Sequence, residues 1–536
     1  MRNRFFANNR LRLAVTAPAL ALSLLLSSCD KEVTDLKPYD RITEISAFET
    51  PERVELAMAG VYDAAQSGFY AGGAVRGYPF GAASVEQGDM RGEDMLNVAT
   101  FYAITYDGTY NASTANNQYM WETLYALINK ANVVIEGVQG AATKGVISAD
   151  KAKEYEGEAR FLRALAHHEL LIHFARPYKH TTDASHPGVP YRTTAVNTPA
   201  KVEEAQAQGR NTVKDSYDKL VEDLNFAEAS LPASRTGSLK ISRATKGAAI
   251  ALKTRVLLHK GDFTGVIAEG NKIVGTTAPF TSAIGGYTLA SKPDVPFVSY
   301  SNNTESVFSI ENSATDNAGV NGGLPSMYGI APARGLVAVS PIIYNASFWK
   351  ADDLRRTLLT TNNGRAFFST KYRDAATNSD YAPIIRYAEV LLNVSEAIAR
   401  TSATIDLRSV SLLNAVRNRS VTNTADQYTV ASFASNNELV QAILNERRIE
   451  FLGEGRRWSD IHRLAKDPVF STGGVPAKVT YVNTTFSTWA AASGSVPATA
   501  IKITAIPYDD YRFIWPLPIT EVNANPVLAA QQNPGY

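Results

Sequence analysis

Residues 244–274 read ATKGAAIALKTRVLLHKGDFTGVIAEGNKIV. Ala248, Leu252 and Val256 recur at four-residue steps, which is the apolar stripe of one helix. Gly261-Asp262 then makes a turn, and Val266, Ile267 and Ile273 mark a second stripe. The stretch is therefore two short helices joined by a tight turn within about thirty residues.

Such a unit resembles a tetratricopeptide repeat. Outward from it the same period returns. In 119–139, Trp121, Leu124, Ile128, Ala131, Ile135 and Val138 form a stripe; in 151–174, Tyr155, Ala159, Leu162, Ala166, Leu170 and Phe174 do. Segments 213–231, 387–401 and 438–452 behave alike. Trp121-Glu122-Thr123-Leu124 opens like that repeat's Trp-x-x-Leu but lacks its glycine, so the repeats are degenerate and their register stays open. Between the helices, 66–118 and 276–384 are rich in Gly, Asn, Ser, Thr and aromatics, and 466–513 holds strand-like pieces such as 478–482. The fold expected is mainly α, built of tetratricopeptide-like helical repeats with long irregular loops and a few short strands.

With 53 basic and 52 acidic residues among 536, the chain has no charge excess to meet a phosphate backbone. A hydrophobic share of 45% and a charged share of 20% exclude a disordered chain. The single cysteine excludes intramolecular disulfides and cysteine-based metal sites. That cysteine is Cys29. Before it, Arg2, Arg4, Arg10 and Arg12 precede an apolar run over 13–26, which suits an export signal and is short for a membrane span. Leu26-Ser27-Ser28-Cys29 looks like the bacterial lipobox, in which the cysteine is lipidated and becomes the new N-terminus. Several acyl chains there would hold the protein at a membrane. Loss of 1–28 leaves 49 basic against 52 acidic residues. Asp30-Lys31-Glu32 resembles the acidic tag that sends lipoproteins of Bacteroidetes-type bacteria to the cell surface.

Catalytic signatures are weak. His168-Glu169 with His173 resembles a zinc-protease helix, but that motif needs histidines four apart. Five apart, they sit about 140° around a helix and cannot share a metal. The sequence contains no Gly-x-Ser-x-Gly elbow, phosphate loop or dinucleotide fingerprint. Gly453-Glu454-Gly455 reads as a helix stop. A pair of glycosidase carboxylates is not marked, and no cofactor is expected.

Four passages carry a family resemblance. Tyr155-Glu156-Gly157-Glu158-Ala159-Arg160-Phe161-Leu162-Arg163-Ala164 resembles a "GEARFLRA" helix, and Ile385-Arg386-Tyr387-Ala388-Glu389-Val390-Leu391-Leu392 with Glu396-Ala397 resembles "RYAEVLL…EA". Leu413-Asn414, Val416-Arg417-Asn418-Arg419, 445–451, Gly455 and Arg457-Trp458-Ser459-Asp460 resemble "LN.VR.R…ERR.EF..EG.RW.D". Trp515-Pro516-Leu517-Pro518, Glu521, Asn525-Pro526 and 532–536 resemble a "P.P..E...NP…QNPGY" ending. In this order, behind a lipobox, they resemble the SusD/RagB family of surface nutrient-binding lipoproteins. By their physics these motifs are structural: Arg386 and Arg447 lie among apolar positions near carboxylates such as Glu389 and Glu450, and buried charges need partners. Trp458 is expected in the core and the Pro-rich terminus as a strap.

The resemblance implies division into a signal (1–28), a tether (29–50), a helical region with tetratricopeptide-like pairs (51–275), a loop-rich ligand region (276–384) and C-terminal helices with the strap (385–536). It implies a non-catalytic lipoprotein that captures a glycan, or in the RagB branch a peptide. It also implies a SusC-like TonB-dependent outer-membrane transporter as partner, with no nucleic acid. A helical-repeat docking scaffold and a glycoside hydrolase are the competing classes. A pyranose lays its C–H face on an aromatic ring, and rings lose little entropy when fixed. Residues 69–110 hold Phe69, Tyr70, Tyr78, Phe80, Phe101, Tyr102, Tyr106 and Tyr110, about twice the chain's aromatic density. Within or beyond it, the candidate ligand contacts are Tyr102, Tyr110, Asp89, Arg91, Tyr300, Tyr328 and Trp349.

Overall fold

The computed structural model describes residues 46–536; the export signal, Cys29 and most of the 29–50 tether lie outside the described residues. Helix α1 (Pro51–Gln66) opens on Thr50, whose hydroxyl accepts from the Arg53 N–H, with Pro51 at the first helical position. Helix α2 (Ala82–Met90) follows a glycine-rich loop. Helices α3 (Ala115–Thr143) and α4 (Ala149–Phe174) form a long hairpin, with Ser148 capping α4. Helices α5 (Val213–Ser230), α6 (Lys246–Lys260) and α7 (Phe263–Ile273) continue the array. After the middle region come α8 (Tyr387–Thr401), α9 (Leu407–Arg417), α10 (Asn436–Glu450) and α11 (Arg456–Leu464).

The 244–274 stretch folds as read. Thr245 caps α6, Gly261 ends it in the left-handed region at φ +74°, and the Asp262 carboxylate accepts from the Gly265 N–H at 2.9 Å to start α7. Each long helix packs on the next: α3 on α4, α4 on α5, then α6, α7 and α8, with α9 and α10 against α8. The main apolar core runs through Trp121, Phe161, Leu252, Leu391 and Trp515, with smaller clusters around Trp458 and Phe513 and around Leu257 and Val266.

One helix departs from the expected loops. Helix α2 lies inside 66–118, yet Glu86, Gln87 and Asp89 are buried with its apolar residues, so no amphipathic stripe announces it. Helix α11 carries Trp458 and buries Asp460, His462 and Arg463 among its apolar positions. The middle region is also more ordered than its composition suggests. Strands β1 (Met95–Asn97), β3 (Val337–Val339), β4 (Thr360–Asn362) and β5 (Phe367–Ser369) make an antiparallel sheet in the order β1-β3-β5-β4. Strand β2 (Ser306–Ile310) pairs antiparallel with β6 (Ala382–Arg386), which runs directly into α8. The middle is thus sewn to both flanks, and the expected break at 384/385 falls inside β6. The strand-like 478–482 piece is a two-residue strand, Lys478–Val479, paired with Ile501–Ile503.

The C-terminal motifs form a buried lattice of ion pairs. Arg386 meets Glu305 at 2.6 Å, Glu450 at 2.7 Å and Glu454 at 2.8 Å. Arg355 binds Glu446 and Glu450, and Arg419 binds Glu450 at 2.6 Å. Glu389 belongs elsewhere, to Arg255 of α6 at 2.6 Å, so the lattice ties the repeat helices to one another. Trp458 is fully buried; its indole N–H donates to the Ile172 carbonyl and the Arg91 guanidinium lies 3.4 Å above its ring. The terminus straps the body: the Asn533 amide donates to the carbonyls of Phe174 and Trp515.

Candidate functional site

Six of the seven residues picked from sequence as ligand contacts are packed inside, and those assignments are corrected here. Asp89 on α2 accepts from the Tyr328 hydroxyl at 2.6 Å and the Gly455 N–H at 3.0 Å, and burial pushes its carboxyl up to about 7. Arg91 is sandwiched between Trp458 and Trp515 and faces His173 Nδ1 at 3.1 Å. Tyr110 packs edge-on against Trp515, and Trp349 lies under Arg356. Tyr102 and Tyr328 are buried too. A sugar stacks only on a ring with an open face, and these rings have none. Only Tyr300 is half open; its hydroxyl meets Ser379 Oγ at 3.1 Å and its ring lies 5.2 Å from Tyr381. The structure unites Asp89 with Tyr328, but it does not gather the seven into one site. His168 and His173 are buried and structural, His173 stacking on Trp515. Among the described residues no cluster of His, Cys, Asp or Glu could hold a metal ion, and no helix is long and apolar enough to cross a membrane.

The open aromatics are the neighbours of those picks. Phe69, 42% exposed, meets Tyr119 of α3 edge-on at 6.2 Å. Tyr70 lies 4.4 Å from Tyr119. The Arg76 guanidinium sits between Tyr70, at 5.4 Å, and Phe101, at 5.5 Å. Exposed Arg334 covers Phe101 at 5.0 Å, steadied by Asn321 at 2.6 Å. Phe69, Tyr119, Tyr70, Arg76, Phe101 and Arg334 thus form one continuous arc of rings and guanidiniums, with Tyr70, Arg76, Phe101 and Tyr119 half-buried.

Glycines shape the loop that carries the arc. The Gly68 N–H donates to the Tyr78 carbonyl and the Tyr70 N–H to the Ala74 carbonyl, which closes a small turn. Gly77, at φ +75°, packs so tightly on the Gly322 backbone that a Cβ would lie 2.5 Å from its carbonyl oxygen. Behind the arc, Tyr102 backs Phe101 at 5.4 Å, and burial followed by the charge of Asp89 pushes the Glu86 carboxyl well up. Rings offer faces for sugar C–H groups, and guanidiniums offer paired donors to vicinal hydroxyls or a carboxylate. Sequence reading counted Phe69, Tyr70 and Phe101 in the dense segment without choosing them, placed Tyr119 on a helix, and passed over Arg76 and Arg334. The usable signal was the run of glycines at 68, 72, 73, 77 and 81, which forces that loop to the surface.

Stacked helical pairs that hold an open aromatic arc on glycine-shaped loops define a mainly α protein with a candidate ligand surface. Residues 358–536 match the family model described as "SusD family", and residues 35–258 match one described as "Starch-binding associating with outer membrane". The chain belongs to the SusD/RagB family. It is 26% identical over 406 residues to SusD-like protein P2 of Formosa agariphila, covering 66% of this chain and 73% of that protein. A SusD superfamily protein from Bacteroides fragilis superposes with a TM-score of 0.73 at 25% identity, over 90% of this chain and 99% of that one. Surface glycan-binding protein A from Bacteroides fluxus does so with a TM-score of 0.64 at 20% identity, over 91% and 100%.

Proposed function

We propose that this chain is a non-catalytic glycan-binding lipoprotein. A lipid on Cys29 holds it at the outer membrane, facing outward, and it hands captured oligosaccharides to a SusC-like TonB-dependent transporter. The observation that carries the reading is the arc from Phe69 to Arg334: three half-open or open rings contributed by loops, one by a helix, and two guanidiniums at their edges. The starch-binding description of the family model and the name of the Bacteroides fluxus protein favour a glycan as the cargo. A transporter gene beside this one would support the delivery step.

Affinity electrophoresis on a panel of polysaccharides, followed by product analysis, tests the reading. Retardation without released sugars is expected. Phe101→Ala removes one stacking face at about 1–2 kcal/mol, so the best-bound glycan should weaken roughly five- to thirty-fold while the melting temperature moves little. Retardation by none of the panel together with binding of a peptide pool would replace the glycan with a peptide; released sugars would make the protein a hydrolase.

A further inference from the structure

A cleft of about 850 Å³ opens on a part of the molecule built from other segments than the arc, between the 176–187 loop, the 508–514 turn and the last seven residues. That volume suits a small ligand. Its framework is rigid. Arg210 is held by the carbonyls of Gly188 and Gln531 and by Asn533 Oδ1, and Arg176 by the carbonyl of Asp510. Its working surface is less committed. Asp509 is exposed and makes no hydrogen bond or ion pair among the described residues. Tyr511 is 42% exposed, its ring braced edge-on by Tyr536 at 4.9 Å. Gln531 uses its amide oxygen on the Arg210 N–H and leaves its NH₂ free among the described residues, and His180 uses only Nδ1, on the Tyr508 hydroxyl at 2.7 Å.

Among the lining residues Arg176 and Arg210 are balanced by Asp509 and Asp510, the latter also paired with Arg512 at 2.7 Å, and burial, with His186 and the Arg176 guanidinium nearby, holds His180 down at about 4 and so neutral. A neutral cleft with one braced ring, a free carboxylate acceptor and free amide and imidazole groups does not select a phosphate or a polycation. It matches an uncharged polyol, whose hydroxyls donate and accept in turn and whose C–H face needs a ring.

We infer that this cleft is a second carbohydrate subsite, which takes one or two units of a neutral glycan on Tyr511 and Asp509. The ligand class rests on the glycan reading of the arc, and the test separates the two. Hydrogen-exchange mass spectrometry is run on the full chain with a panel of neutral oligosaccharides (malto-, laminari-, xylo- and manno-series) at millimolar concentration. Expected is slowed exchange at 508–514 and 530–536 as well as at 69–81 and 101. The cleft protection should need at least ten-fold more sugar in Tyr511→Ala and in Asp509→Asn, with the arc protection and melting temperature unchanged. Protection at the arc alone overturns the subsite and leaves the proposed function standing. Protection at the cleft alone supports the subsite and overturns the arc. Protection at neither overturns both, and cleft protection that both variants retain overturns the subsite.

Discussion

Arg447 places its guanidinium against Asp460 of α11 at 2.9 Å and Asn393 of α8 at 2.7 Å, so one buried side chain joins three helices. Its alanine variant leaves Asn393 without its donor and Asp460 dependent on Arg463 alone. Removing one member of a buried pair costs about 3–5 kcal/mol, because the remaining charge keeps its desolvation penalty. Urea unfolding of Arg447→Ala should show that loss, with glycan affinity of the surviving folded protein unchanged; an equally stable variant that no longer binds ligand would move Arg447 from scaffold to site. Phe101 is the opposite kind of residue, backed by Tyr102 yet half open, so its truncation is expected in affinity and not in stability.

At the scale of elements, the arc depends on the contact of two glycine-bearing loops. Gly77→Ala puts a Cβ on a residue at φ +75° and within 2.5 Å of the Gly322 carbonyl oxygen, so the 69–81 loop must shift. The left-handed conformation alone costs about 1–2 kcal/mol, and the displaced loop should carry Tyr70 and Arg76 out of line. Expected is a glycan affinity lower than that of Phe101→Ala with a melting temperature down by a few degrees, read by calorimetry of both variants; unchanged affinity would separate the arc from the loop's backbone. Helices were legible from sequence where apolar residues recur at three- and four-residue steps, as in 151–174 and 244–274, although the polar residues between them are mostly buried too. Helix α2 was not, because it is only nine residues long and its apolar residues, Ala82, Ala83, Val85 and Met90, do not keep up three- and four-residue steps. The same blindness governed the site. Aromatic density pointed to a segment that does carry half-open rings, but Tyr102, Tyr110 and Tyr328 differ from Tyr70 and Phe101 only in which way the tertiary packing turns them, and a local pattern does not encode that.

Over the whole molecule, two properties have no single-residue origin. The first is where the protein resides: if a lipid on Cys29 is its only hold on the membrane, Cys29→Ser should move it to the soluble fraction of lysed cells, and full retention in the membrane pellet would remove the lipobox from the reading. The second is its response to acid. Six of the seven histidines are buried. His173 Nδ1 faces the Arg91 guanidinium, and His167 Nε2 accepts the Arg192 N–H while its Nδ1 faces the Arg163 carbonyl, so both rings are fixed as neutral tautomers. Burial first, then nearby cations, lowers all six; His462 is held down at about 3 against an ordinary 6.5. For such a group the unfolded chain takes up a proton near pH 6.5 and the native state does not, so stability is lost as pH falls below 6.5. Asp89, at about 7, and the raised, buried carboxyls of Glu86, Asp94, Glu169 and Asp380 oppose this, since they keep protons in the native state that the unfolded chain releases, but they are five against six. Below about 4.5 a further loss sets in: despite burial, which raises it, Glu389 is held at about 2 by Arg255 and its hydrogen bonds, and it must be protonated as the chain unfolds. Each net proton is worth about 1.4 kcal/mol per pH unit. The urea midpoint should therefore fall from pH 7 to pH 5 and more steeply below 4.5, with unfolding taking up net protons in the upper window. A midpoint that stays level or rises between pH 7 and 5 would mean that the buried imidazoles are charged in the native state or that the raised carboxyls outweigh them.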